Sequence, residues 1–188
     1  MSDPKIPAAA IAAAQFAHGT TGTPASISLA QWVLESGWGQ HMPEGSNNPF
    51  GVKAAGAQPY VWATTEEYDR ATRQMVTIRA KFRAYPSLGA AFEEHAWLLA
   101  GAAYADARRK LPDAIAFARA ISPPNRPAYA TDPAYADKLV ALIEAHNLTR
   151  YDGAAASLVT AATVPAPQAT AAPYGGTASW LERFFGWG

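Results

Sequence analysis

The period of the apolar positions changes several times along the chain, and each change marks an element. Ile6 to Ala17 is an alanine-rich apolar run interrupted by Gln15, which predicts a first helix with few large side chains and loose contacts. Thr23-Pro24-Ala25-Ser26 reads as a helix start, with Thr23 as N-cap and Pro24 at the first helical position. That helix is expected to reach about Ser36, with Ile27, Ala30, Leu34 and Trp38 along one face. Gly37 and Gly39 then release the chain. Farther on, Val76, Ile78, Ala80 and Phe82 alternate with Thr77, Arg79 and Lys81, the signature of a half-buried strand. Its expected partner is Tyr60 to Tyr68, across a polar turn at Asp69 to Arg73. Leu88 to Ala102, Leu111 to Ala120 and Pro133 to Asn147 return to helical spacing, with His95 and Trp97 read as core residues of the first. The pattern describes an α+β domain, mainly helical, with one small β-hairpin.

That domain is expected to occupy residues 1–152. Residues 153–179 contain no charge and are mainly Ala, Thr, Pro and Gly, the composition of a linker. Residues 180–188 carry Trp180, Leu181, Phe184, Phe185 and Trp187 at helical spacing, an aromatic tail expected to dock weakly on a membrane or on the domain itself.

Composition removes several classes of function. Fifteen basic residues balance fifteen acidic ones, so there is no electrostatic footprint for a nucleic acid. Without cysteine there is no disulfide framework, thiolate metal site or cysteine nucleophile. No apolar run approaches the ~20 residues of a membrane span, and the first run makes a poor signal peptide. His18, His41, His95 and His146 show no ligand spacing with a carboxylate, so neither metal nor organic cofactor is expected.

Chemistry is suggested first by Glu35. It falls in the last turn of its helix, where the helix dipole disfavours an anion, beside Leu34 and Trp38. Both features raise a carboxyl pKa toward the range of a general acid. Four motifs surround this reading: Leu34-Glu35-Ser36-Gly37-Trp38-Gly39, Asn47-Asn48-Pro49-Phe50-Gly51, Lys81-Phe82-Arg83-Ala84-Tyr85 and Tyr129-Ala130-Thr131-Asp132-Pro133. Together, over roughly residues 8 to 150, they resemble the peptidoglycan-cleaving endo-β-N-acetylglucosaminidases of glycoside hydrolase family 73.

The resemblance implies a lysozyme-like fold, with a helical lobe and a hairpin lobe flanking a glycan groove, and makes Glu35 the general acid. It places a second carboxylate in a Thr-x-Glu-Tyr pattern, matched by Glu67 in Thr65-Glu66-Glu67-Tyr68, with Glu66 as the alternative because strand neighbours face opposite ways. It also assigns Tyr129 to the site. Asp132 reads instead as the N-cap of the last helix. Trp38 and Trp62 are expected to form groove walls, and Asn48 and Phe50 to belong to a loop lining the groove.

The expected activity is hydrolysis of peptidoglycan glycan strands by a monomer, on the reducing side of N-acetylglucosamine, in the manner of an endolysin. Such a protein would be made in the cytoplasm and act on the wall after release by a holin or a secretion machine. A lytic transglycosylase or muramidase with the same groove, and a non-catalytic wall-binding module, are the alternatives.

Overall fold

A computed structural model describes residues 5–69, 72–122, 129, 130 and 132–153, with the backbone alone at 67 and 68. Apart from Gly153, the expected linker and tail lie outside the described residues. The chain order is α1 (Ala8–Thr21), α2 (Ala25–Ser36), β1 (Tyr60–Asp69), β2 (Gln74–Arg83), α3 (Leu88–Ala100), α4 (Ala105–Arg108), α5 (Ala114–Ile121) and α6 (Tyr135–Ala145). Short 3₁₀ turns, Ala102–Tyr104 and Leu148–Tyr151, complete it. No helix among the described residues is long and apolar enough to cross a membrane.

Alanine turns out to favour close approach. Ala10, Ala13, Ala14 and Ala17 form the buried stripe by which α1 packs on α3, because small side chains let two helix backbones come together. The loose first helix expected from composition is therefore closely seated. α2 lies at the centre of the helical lobe and is buried from Ala25 to Val33, polar Ser26, Ser28 and Gln31 included. A helix enclosed on every side shows little amphipathic contrast.

The start of α2 differs from expectation. Pro24 occupies the N-cap position and makes no side-chain cap. The Thr23 hydroxyl instead donates to the Ala96 carbonyl of α3 at 2.9 Å. The cap comes from far along the chain: Asp152 accepts from the Ser26 amide and the Ser26 hydroxyl, both at 2.7 Å. A carboxylate at a helix N-terminus is favoured by the dipole and by the orphan amides there. The last helix begins later than expected, at Tyr135, with Asp132 holding the preceding turn through the Ala134 amide at 2.8 Å.

β1 and β2 form an antiparallel hairpin in which Tyr60 pairs with Arg83 and Glu67 with Val76. The alternation expected from sequence holds at Phe82, which is buried, and at Arg79 and Lys81, which are exposed, but Ile78 of the inward row is itself 37% exposed. Two bonds anchor β2 to the preceding loop, from the Arg83 amide to the Val52 carbonyl (2.8 Å) and from the Ala54 amide to the Lys81 carbonyl (2.9 Å). An ion pair between Arg83 and Glu94 of α3, at 2.7 Å, ties the hairpin to the helices. Trp97 departs from expectation: 51% of it is exposed, while its helix buries Phe92, His95, Ala96 and Leu99.

Candidate active site

The end of α2 explains why its motif is rich in glycine. Gly37, Trp38 and Gly39 all have positive φ, at 54°, 64° and 81°. A Cβ on Gly37 would meet the His41 ring at 2.5 Å, and one on Gly39 would meet Trp32 at 2.9 Å. Ser36 closes the turn by donating to the Trp32 carbonyl and accepting from the Gly39 amide at 2.8 Å. The chain thus reverses immediately after Glu35, which remains on the wall of a cleft of about 1090 Å³. That volume exceeds the roughly 300–1,000 Å³ usual for small-molecule pockets, as a polymer site requires.

Three structural units meet around the cleft: the end of α2 with the start of α6, the hairpin from Ala63 to Glu66 with Thr77 and Phe82, and the loop through His41 to Pro43. Glu35 is half-buried, and desolvation raises its carboxyl from 4.5 to about 7, despite the opposing effect of a hydrogen bond from Tyr135. The Tyr135 hydroxyl donates to Glu35 Oε1 at 2.8 Å and accepts from Gln31 Nε2 at 3.0 Å. Near neutral pH this carboxyl is therefore present in both protonation states, in the range where a carboxyl can serve as a proton donor.

Tyr135 is the site residue that sequence reasoning missed. It shares a helix face with Leu139 and Ile143 and so reads as core; its ring is indeed buried, and only its hydroxyl reaches the acid. Tyr129, expected in the site, is fully buried instead. It stacks on Tyr135 with ring centroids 5.5 Å apart, and its hydroxyl lies 3.0 Å from His95 Nε2. Burial lowers the His95 pKa to about 3, so this imidazole is neutral, consistent with its expected place in the core. Tyr129 supports Tyr135 from behind and does not line the cleft.

Other expected contacts are also supports. Asn48 is completely buried; its Nδ2 donates to the carbonyls of Val52 (2.8 Å) and Arg83 (3.0 Å), and its Oδ1 accepts from the Val52 amide (3.0 Å). Phe50 stacks flat on His95, with centroids 4.0 Å apart, inside the core. These two residues fasten the loop that carries the hairpin and are out of a substrate's reach. Trp38, with a left-handed backbone, packs on His146 at 4.9 Å and Trp32 at 6.5 Å and does not line the cleft. Trp62 stands on the outer face of the hairpin, apart from the cleft lining.

On the hairpin, Glu66 lies opposite Thr77, and both line the cleft. Glu67 lies opposite Val76, in the row of pair positions that continues through Thr65, Ala63 and Phe82, all of which line the cleft. The Glu67 side chain lies outside the described residues. Among the described residues, no group of three or more His, Asp or Glu is placed to hold a metal ion.

Comparison with known proteins identifies the family. The family model described as mannosyl-glycoprotein endo-beta-N-acetylglucosaminidase matches residues 11–148. The exo-glucosaminidase LytG of Bacillus subtilis is 36% identical over 130 residues, covering 68% of this chain and 45% of that protein. The peptidoglycan hydrolase FlgJ of Escherichia coli K12 is 38% identical over 138 residues, covering 70% of this chain and 42% of that protein. This chain therefore spans less than half the length of these curated relatives. The catalytic domain of the autolysin Auto from Listeria monocytogenes superposes with a TM-score of 0.65 at 28% identity, over 76% of this chain and 82% of that one. With a family match over well more than half its length, the chain belongs to the glucosaminidase family, glycoside hydrolase family 73.

Proposed function

We propose that this protein is a peptidoglycan hydrolase that cleaves the β-1,4 bond on the reducing side of N-acetylglucosamine, with Glu35 as general acid. The observation that carries this reading is the Glu35 carboxyl on the cleft wall, held by Tyr135 and kept protonated into the neutral range by burial. Its proton passes to the glycosidic oxygen as the bond to the sugar breaks and positive charge develops on the ring. Glu67 is the proposed second carboxylate, favoured by its row on the hairpin, and Glu66 at the cleft margin is the alternative. Glu67 either activates water, giving inversion, or supports attack by the substrate's own N-acetyl group, giving retention. The anomer first released, read by NMR, separates the two.

The proposed substrate lies outside the cytoplasmic membrane, so the enzyme acts at the wall after release, in keeping with an endolysin. Mass spectrometry of fragments from purified sacculi tests the bond assignment. Reducing-end N-acetylglucosamine is expected. Reducing-end N-acetylmuramic acid would make the protein a muramidase, and 1,6-anhydro ends a transglycosylase. Fragment lengths report whether internal or terminal bonds are cut.

A further inference from the structure

Beyond Thr64, Glu66 and Thr77, which line the cleft, the row of the hairpin that begins at Tyr60 carries chemistry that the cleft does not use. Tyr60 and Trp62 are 44% and 51% exposed, and their rings meet edge to face with centroids 6.0 Å apart. Lys81, directly opposite Trp62, holds its ammonium 4.2 Å from the Tyr60 ring centroid and 5.4 Å from that of Trp62. The Arg79 guanidinium lies 5.4 Å from the Trp62 centroid. Arg83 belongs to the same row but is neutralised by Glu94 at 2.7 Å. Arg79 and Lys81 have no acidic partner among the described residues.

We propose that Tyr60, Trp62, Arg79 and Lys81 form a binding platform, outside the cleft, for the carboxylate-bearing glycan of the wall. This rests on the substrate class proposed above. Cations held over aromatic rings keep their outward N–H groups free for an anion, and the exposed rings offer apolar surface to sugar C–H faces. A peptide-substituted glycan presents sugar faces and carboxylates side by side, which matches the alternation of rings and cations. The row continues from Tyr60 and Trp62 to Thr64 and Glu66, which line the cleft, so one strand can lie on both. A chain of zero net charge, with two cations here that lack an acidic partner among the described residues, suits a few carboxylates, not a polyanion.

The test is binding to purified sacculi by the Glu35→Gln protein, which separates binding from turnover. Trp62→Ala and the double variant Arg79→Gln/Lys81→Gln, added to that background, should each weaken binding roughly tenfold. On sacculi whose carboxylates have been amidated, the double variant should bind as its parent does. Unchanged binding to native sacculi by both variants would overturn the platform, as would an equal loss by the double variant on amidated sacculi. Binding to anionic phosphatidylglycerol vesicles that both variants lose, with sacculus binding intact, would reassign the face to membrane and also overturn the proposal. If the protein with Glu35 intact releases no fragments from sacculi, the proposed function fails, a result distinct from any of these.

Discussion

At the residue scale, the fold's main contribution is a carboxyl whose proton is retained to about pH 7. Desolvation does this, and Tyr135 limits it by donating to the ionised form. With Glu35 as the proposed general acid, kcat/KM is expected to fall as pH rises through about 7. Tyr135→Phe removes a hydrogen bond that favours the anion. The alkaline limb should then move upward by about one unit, the size expected for a hydrogen bond to a charged group, while the maximal rate falls because the acid is less well held. A rate loss with no movement of the limb would show that Tyr135 acts only in packing. Glu35 was legible in the sequence because its signals are local: a helix end, two apolar neighbours and a following glycine turn. Tyr135 was not, because its function depends on one hydroxyl at the edge of an otherwise apolar face, and periodicity records only the face.

At the element scale, the hairpin depends on the loop behind it. Asn48 satisfies the amide of Val52 and the carbonyls of Val52 and Arg83 without meeting solvent. Asn48→Ala would leave the buried Val52 amide without its acceptor and take a second donor from the Val52 carbonyl, which keeps the Arg83 amide, an expected loss of about 1–3 kcal/mol visible as a lower denaturation midpoint. On the hairpin itself, Glu67→Gln should reduce turnover of sacculi far more than Glu66→Gln, since adjacent strand residues alternate between rows. The reverse order of sensitivity would move the second carboxylate to Glu66. The hairpin's strands and polar turn were readable because period-two alternation is steep there. The cap of α2 was not, since Thr23-Pro24 carries a local start signal while the actual acceptor, Asp152, lies 126 residues away. Trp97 misled for a different reason: its size suggests burial, yet at about 100° per residue it falls between Glu93 and Glu94, opposite Ala91, His95 and Leu99, so its helix turns it to solvent.

At the scale of the whole molecule, Asp152 joins the end of the described domain to the start of the helix that carries the acid. A chain ending at Gly153 keeps this clamp and is expected to hydrolyse purified sacculi like the full chain. A chain ending at Arg150 loses it, and also loses the buried Tyr151, so its melting temperature should be clearly lower. Equal stability of the two truncated chains would show that the α2 cap contributes little. The central claim is that the carboxyl at the end of α2 supplies the proton, and Glu35→Gln tests it most directly because the amide keeps the volume without the acid. Measured as the rate of fragment release from purified sacculi at pH 6, with folding checked by circular dichroism, the variant is expected to lose roughly 10²–10⁴-fold in rate. It should also be at least as stable as the parent at pH 8, where Glu35 is buried as an anion: its raised pKa means that the native state gives up stability as pH climbs from about 4.5 to about 7. A folded Glu35→Gln protein that releases fragments at close to the parent rate would contradict the account.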